Sequence, residues 1–388
     1  MRIGYIFGGR YDAVALGGNA VDIREDLTGF EALGHAVAFR PYEEARLEIP
    51  GPVRAAKSRI PPHVWETTRD LALLRKDRVW RRRLASDTAL RGSDLLFEYW
   101  FPDSFGGAAL ARRLGVPHVL ENLDPLTDEI RSRSRSLVAR RLADAERRRR
   151  QDAAALIVMS RGMSDYLVEQ WGVGPERVHW LPQGVNVDLF QPPAPDVRAA
   201  VRARLAPGGE RLVGFVGSLA DYQRVDVLVE AMRLLAPQRP EIRLVLVGGT
   251  PERAAALGAG EDAVVLSHVP YEEVPQLVGS FDVAVLPDSN WYGSPVKVLE
   301  YGAVGIPIVV PDVGPVRDLL APEEGLLVPP GDPKALADAI ERVLNDEPAA
   351  AERARRFRAK VLDQFDRATR TRRLLELCEQ LVAEGRRG

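Results

Sequence analysis

Cysteine is nearly absent from this chain of 388 residues; Cys378 stands alone. That excludes an internal disulfide framework and agrees with a reducing compartment. Histidine is sparse too, five in all, with no HxH, HExxH or CxxC spacing, so no zinc site is expected. No apolar run approaches the roughly 20 residues that span a bilayer. The opening MRIGYIFGG has no extended signal-peptide core. Membrane contact, if any, is therefore expected to be peripheral. An excess of either charge is also lacking. The net charge of -2 gives no global drive toward nucleic acid or anionic lipid. No GxGxxG follows an opening strand, which weighs against nicotinamide or flavin dinucleotides. There is no Walker A sequence, no GxSxG elbow and no serviceable Cys–His pair.

What is present is ordinary in amount and regular in order. Hydrophobic residues make up 46% and charged residues 28%, normal for a globular protein, and the length suits two domains. Apolar runs alternate with helical stretches throughout, which predicts parallel sheets with helices on both faces. The first series has strands at Ile3 to Phe7, Val37 to Arg40, Leu95 to Tyr99, His118 to Glu121, Ala155 to Ser160 and Val178 to Leu181. QPPAP at 191–195 and APGGE at 206–210 punctuate a connection. A second series follows at Leu212 to Val216, Arg243 to Val247, Ala263 to Leu266, Val283 to Leu286, Ile306 to Val310 and Gly325 to Val328, with a helical tail from about Pro333. The arginine- and proline-rich stretch 46–91 has weak periodicity and reads as helices and loops attached to the first half.

The most informative stretch is SPVKVLEYGAVGIPIVVP, residues 294–311. Ser294 reads as an N-cap and Pro295 as the first helical residue. Lys297, Glu300 and Tyr301 then share a helical face. A helix start offers free N–H groups to phosphate. A carboxylate one turn further in can accept two hydrogen bonds from vicinal ribose hydroxyls. Other strand exits carry matching chemistry: GGRYDAVALGGN at 8–19 with Gly17 and Gly18, Ser218 to Arg224 after the first strand of the second series, Gly248 in VGGT, and His268 with Val269 in SHVPY. Ligands of open α/β sheets bind beyond such exits. Arg224 and Asp226 read as solvated helix-start residues, and a lone histidine such as His268 is by default structural.

In the first half, LENLDPLTDE at 120–129 places Glu121 at a strand exit, while Asp124 and Thr127 read as helix caps. Glu98, set among Phe97, Tyr99 and Trp100, must lie at a strand end or be paired. Two basic clusters, RKDRVWRRR at 75–83 and the arginines from Arg131 to RRRR at 147–150, read as solvated faces or as a basic surface for an anionic acceptor or anionic lipid.

Taken together these residues resemble a GT-B fold glycosyltransferase of the large retaining family 4 (glycosyl transferases group 1), over nearly the whole length. Leu156 to Ser160 with LPQGVNVDLF at 181–190 is similar to that family's "V-x-x-S … P-N-G-V-D-x-x-x-F" passage. Gly214 to Asp226 resembles its phosphate loop, SHVPYEEVP at 267–275 its "G-x-V-P-x-x-E-V-P", and LLVPPGDP at 326–333 its "L-V-P-P-G-D-P". Departures are plain. Ser218 and Gln223 stand where the family usually has Arg and Lys on the diphosphate, Tyr292 replaces the first glutamate of the E-x7-E pair, and Leu123 stands where a histidine is frequent. A branch pattern, with S-P-x-K-x-x-E-Y, is followed through Glu98, Glu121, Pro125, Leu126, Glu129, Ser218, Val225, Asp226, Ser294, Pro295, Lys297, Glu300 and Tyr301.

The resemblance implies two Rossmann-like doubly wound domains facing a central cleft. Residues 1–190 would bind acceptor and 191–365 the nucleotide sugar, and a helix over 366–388 would cross back to the first domain. It implies transfer of a hexose from a UDP- or GDP-sugar with retention, without metal or separate cofactor, to a small-molecule, glycan or lipid-linked acceptor. Glu300 would hold the ribose. Ser218, Gln223, Val296 and Lys297 would hold the diphosphate, with Gly248, His268, Val269 and Ser294 around the nucleotide. Glu121 would act in catalysis beside Lys297, and Gly17 and Gly18 would face sugar and acceptor. Nucleic acid is not an expected partner. The expected location is cytoplasmic, with a peripheral place at the inner membrane face left open through the basic clusters. Loss of the Arg/Lys pair leaves one alternative, an inactive relative serving as a scaffold subunit.

Overall fold

The computed structural model describes residues 1–9, 11, 18–42, 60–121, 124–125 and 133–386; Gly17, Leu123, Leu126, Thr127 and Glu129 lie outside them. The chain divides into two compact units. One comprises 1–159, 163–181 and 371–388, the other 160–162 and 182–370.

Continuous apolar runs become strands covered on both faces, as parallel sheets require. In the first unit β1 (Arg2–Phe7), β2 (Ala36–Pro41), β3 (Leu95–Tyr99), β4 (His118–Glu121), β5 (Ala155–Val158) and β6 (Val178–Trp180) form one parallel sheet in the order β2-β1-β3-β4-β5-β6. Its core joins Ile3, Tyr5, Phe97, Val119 and Ile157 to Leu374, Leu375 and Cys378 of the final helix Arg367–Gly385. Of the stretch 46–91, residues 62–86 form a single long helix, Pro62–Ser86, opened by prolines that suit a first turn.

The second unit repeats the scheme. β7 (Arg211–Val216), β8 (Ile242–Val247), β9 (Val264–Leu266), β10 (Val283–Val285), β11 (Ile308–Pro311) and β12 (Leu326–Val328) lie in the order β12-β11-β10-β7-β8-β9, all parallel. One core runs through it, with Phe190 fully buried there. This differs from an expected boundary at residue 190. Val185 bridges to Asp366, Val185 N–H donates to the Phe365 carbonyl at 2.9 Å, and Phe190 fills the second core, so residues 182–190 belong to the second unit.

The arginine run 147–150 also differs from a solvated face. Arg149 and Arg150 are 1% and 0% exposed. Arg149 Nη1 donates to Glu98 Oε1 at 3.3 Å, to the Phe101 carbonyl at 3.3 Å and to the Ser104 carbonyl, while Nη2 donates to Glu146 Oε2 at 2.5 Å. Arg150 Nε donates to Glu146 Oε1 at 3.0 Å, as does Trp100 Nε1 at 2.9 Å. Glu98 is thereby paired, with His118 Nε2 at 2.8 Å from its other oxygen. Gly107 lets a helix close over it, since a Cβ there would fall 2.4 Å from Glu98 Oε2. Burial alone would raise the Glu146 carboxyl, but Arg149 and Arg150 outweigh it and hold it down at about 2.

A buried pair broken from one side is costly because the remaining charge is stranded. Glu146→Gln should therefore destabilise the chain by about 3–5 kcal/mol in urea unfolding at neutral pH. The carboxyl titrates near 4.5 when unfolded and about 2 when folded. Its stabilisation is thus complete above 4.5 and fades as pH falls toward 2. The gap between wild type and variant should narrow over that window; a gap that stays constant would refute the assignment.

Candidate functional site

In an open parallel sheet a crevice forms where neighbouring strands send their connections to opposite sides. In the second unit that point lies between β10 and β7. The exits of β7, β8, β9 and β10 and the start of the helix Val296–Val304 gather there, and they carry the residues singled out above.

Three strand exits are shaped by backbone fit. Gly248, after β8, has φ +101°, and a Cβ on it would meet the Gly217 carbonyl oxygen at 2.9 Å. Two exits therefore touch backbone to backbone, which only glycine permits. Leu219, Arg224 and His268 also take left-handed φ values of 56°, 46° and 56°. Left-handed non-glycine residues cluster at sites where conformation serves a ligand. Ser218 is exposed at the mouth of the β7 exit and His268 is exposed at that of β9, while Val269 packs against the second core.

Gln223 departs from the expected phosphate contact. It is 2% exposed. Its Oε1 accepts from Ala220 N–H at 3.1 Å and its Nε2 donates to Tyr222 Oη at 3.4 Å. The side chain thus folds back to close its own turn. Arg224 forms a two-pronged pair with Asp226 at 2.8–3.2 Å, both side chains near half-exposed, as a solvated helix start should.

The helix beyond β10 is offset by one residue from expectation. Pro295 holds the N-cap position and Val296 is the first helical residue. Val296 N–H already donates to the Ser294 carbonyl at 2.9 Å, so it is committed within the turn. The Ser294 hydroxyl, by contrast, is buried without a hydrogen-bond partner. Glu300 is 7% exposed, and Tyr271 Oη donates to its Oε1 at 2.8 Å. Lys297 is half-buried, with Nζ 5.8 Å from the centre of the Phe215 ring. Burial pushes its ammonium below the ordinary lysine range, against the pull of Glu300. Tyr301 is fully buried and accepts from Val216 N–H at 2.9 Å, tying the helix to the end of β7.

Two supports were not singled out from sequence. Tyr271 fixes Glu300, and its ring packs on Phe190 at 5.4 Å. Ser160, assigned to a first-half strand, belongs to the second unit and donates to the Trp291 and Tyr292 carbonyls at 3.3 and 3.0 Å. A tyrosine four residues after a loop serine gives no local sign of either bond.

Of the first-unit candidates, Gly18 starts the helix Gly18–Ala32 after β1, and Glu121 ends β4 at 1% exposure. Both lie at the carboxyl edge of the first sheet. Among the described residues no group of three or more His, Cys, Asp or Glu side chains could hold a metal ion, and no helix is long and apolar enough to cross a membrane.

Known proteins share this architecture. Residues 197–361 match the family model of glycosyl transferases group 1, and residues 17–189 that of glycosyltransferase family 4. The D-inositol 3-phosphate glycosyltransferase of Xylanimonas cellulosilytica is 34% identical over 245 residues, covering 56% of this chain and 58% of that protein. The GDP-mannose-dependent alpha-mannosyltransferase of Mycobacterium tuberculosis is 32% identical over 255 residues, covering 65% and 64%. The chain thus spans about three fifths of the length of these curated relatives. In structure, the sucrose-phosphate synthase of Thermosynechococcus elongatus superposes with a TM-score of 0.76 at 23% identity, covering 99% of this chain and 100% of that one. Anabaena HepE in complex with UDP-glucose gives 0.72 at 18% identity, covering 98% and 100%. Two doubly wound units with these neighbours define a GT-B protein. The chain belongs to glycosyltransferase family 4.

The touching exits yield a stability test. Gly248→Ala forces a Cβ onto the Gly217 carbonyl in a left-handed backbone and should cost about 1–3 kcal/mol. Gly314→Ala, with nothing within 4 Å of the new Cβ, should leave the thermal midpoint nearly unchanged. Equal midpoints for the two variants would show that the exits do not approach as described.

Proposed function

We propose that this chain is a retaining glycosyltransferase that moves a hexose from a UDP- or GDP-sugar to a hydroxyl acceptor. The observation that carries the reading is the second-unit crevice, where a tyrosine-anchored carboxylate stands one turn inside a helix that is preceded by an unpartnered serine hydroxyl and carries a desolvated lysine in its first turn. In this reading Glu300 accepts from the two ribose hydroxyls, with Tyr271 fixing its rotamer. The diphosphate takes the hydroxyls of Ser218 and Ser294 and the N–H and ammonium of Lys297. Gln223 keeps the β7 exit in shape, a support in place of direct contact. Gly248 and the His268–Val269 backbone line the base.

Transfer breaks the bond between the anomeric carbon and the diphosphate oxygen, and the leaving group gathers negative charge. A cation and donors aimed at that oxygen in a partly desolvated crevice lower the barrier. Lys297 is the residue we assign to that charge. The acceptor is assigned to the carboxyl edge of the first sheet, where Glu121 and Gly18 lie, and Glu121 is suited to orient or deprotonate a hydroxyl. A GDP-mannose-dependent relative and a structural neighbour in complex with UDP-glucose support a nucleotide-sugar donor. The S-P-x-K-x-x-E-Y branch supports the same assignment for Ser294, Lys297 and Glu300. No metal is required in this scheme, so turnover should survive EDTA.

Calorimetric titration with UDP and GDP tests the site. One nucleotide should bind, and Glu300→Ala should weaken it by about 1–3 kcal/mol through its lost hydrogen bonds. Absence of binding to both, or an unchanged affinity in the variant, would refute the reading. Lys297 acts only while protonated. Because its ammonium is held below the ordinary value of 10.5, turnover should show an alkaline limb below that pH. Lys297→Ala should lower kcat far more than nucleotide affinity and abolish the limb.

A further inference from the structure

A second cluster of cations lies in the first unit, on elements the crevice does not use. A cavity of about 80 Å³ opens between the helices Pro62–Ser86, Gly106–Leu114 and Ala139–Asp152. Arg81, Arg112, Arg148 and Arg149 line it, with Phe105 as an apolar wall. The guanidiniums of Arg81 and Arg149 converge on the Phe105 ring, 5.7 and 5.1 Å from its centre. Three of the four have carboxylate partners: Arg81 pairs with Asp77, Arg112 with Asp152, and Arg149 with Glu98 and Glu146. Arg148 has none among the described residues and is the uncompensated charge. Arg149 is fully buried, yet its Nε–H has no hydrogen-bond partner. A buried cationic donor left without an acceptor is expensive. The cavity has room for several waters or for one tetrahedral oxyanion, and only the latter would also answer the surplus charge.

The cavity opens onto a larger groove of about 500 Å³; Ala108 and Arg112 line both. The groove walls are Ala111, Val116, Pro117 and Ala154, with His118 and Asp152 as its polar groups. His118 Nε2 lies 2.8 Å from Glu98 Oε2, which assigns the ring proton to Nε2 and leaves Nδ1 an acceptor. That Nδ1 is buried and without a partner. The groove thus offers the Asp152 carboxylate as an acceptor for ligand O–H groups. His118 begins β4, so the groove lies at the amino edge of the first sheet, opposite the edge that carries Glu121 and Gly18.

We propose that cavity and groove together form a binding site for a phosphorylated polyol, a sugar phosphate in chemical class. Its phosphate sits among the four arginines, and its hydroxyls reach Asp152. The site is independent of the crevice chemistry. Arg149 also holds the Phe101 and Ser104 carbonyls after β3, so occupancy would bear on the loop at the opposite edge of the sheet.

Calorimetric titration of the full chain with glucose 6-phosphate, glucose and inorganic phosphate tests it. Glucose 6-phosphate should bind, inorganic phosphate more weakly, and glucose not at all. Arg148→Glu and Arg112→Glu change exposed side chains, so folding should survive, and each should weaken glucose 6-phosphate about tenfold or more. UDP and GDP titrations of the same variants should match wild type, which separates this site from the crevice. Silence with all three probes would mean that the cavity holds water only. Equal affinity for inorganic phosphate and the sugar phosphate would remove the groove from the site. Binding unaltered in both variants would put the ligand elsewhere. Each of these three results would overturn the proposal.

Discussion

The second-unit crevice depends on β7 and β10 lying side by side while the chain leaves them in opposite directions. β7 runs on to β8 and β9 on one flank, and β10 to β11 and β12 on the other. The one connection that passes from flank to flank, β9 to β10, enters β10 at the amino edge of the sheet, so backbone groups at the two carboxyl exits remain available for a ligand. The Tyr301 hydroxyl takes the Val216 N–H across that divide. It fixes the helix start that carries Lys297 and Glu300 against the exit that carries Ser218. Remove the strand order and the same side chains would scatter around the sheet.

The first unit is organised by a different constraint, the need to keep fully buried guanidiniums compensated. Glu98 and Glu146 accept from Arg149 and Arg150, while Trp100 and the Phe101 and Ser104 carbonyls complete the shell. Such networks are weak sources of net stability, because desolvation consumes most of the Coulomb gain. Their effect is on geometry: each donor has a direction, and the loop after β3 is held by donors rather than by loose apolar contact. The two units thus build their strand exits by unlike means, the first by buried charge and the second by backbone contact at Gly217 and Gly248.

Much of this was legible in the chain. Strands buried on both faces read as unbroken apolar runs, so their order and the two-series organisation were plain. The apolar run Ile306 to Val310 pairs only from Ile308, because Pro307 can join an extended segment without pairing in it. The key helix starts one position later than Ser-Pro suggests, with Pro295 as its N-cap. Ser-Pro fits both N-cap with N1 and the residue before the cap, and only backbone angles decide. Glu98 announced that it needed a partner, but Arg149 lies 51 residues away. A run of arginines carries no local mark that two of its members turn inward. Gln223 looked like a donor because its neighbours suit a ligand. Its inward fold depends on the Ala220 N–H, which composition cannot reveal.

In the proposed reading, the environment of Lys297 is what would let the crevice respond to a diphosphate. A surface ammonium is strongly hydrated and would lose most of its attraction to screening. Here burial has already stripped part of that hydration, which is why its proton is held less firmly than usual. The desolvation cost is met by the fold before any ligand arrives, with Glu300 as a partial counter-charge one turn away. On the proposed assignment a dianion would meet a cation with little water to displace, and each unit of charge would count for more than at an exposed arginine. The same burial limits the arrangement, since the ammonium is retained only while the pH stays below its lowered value. In that reading a single desolvated lysine trades the pH tolerance of an arginine for a stronger response per charge.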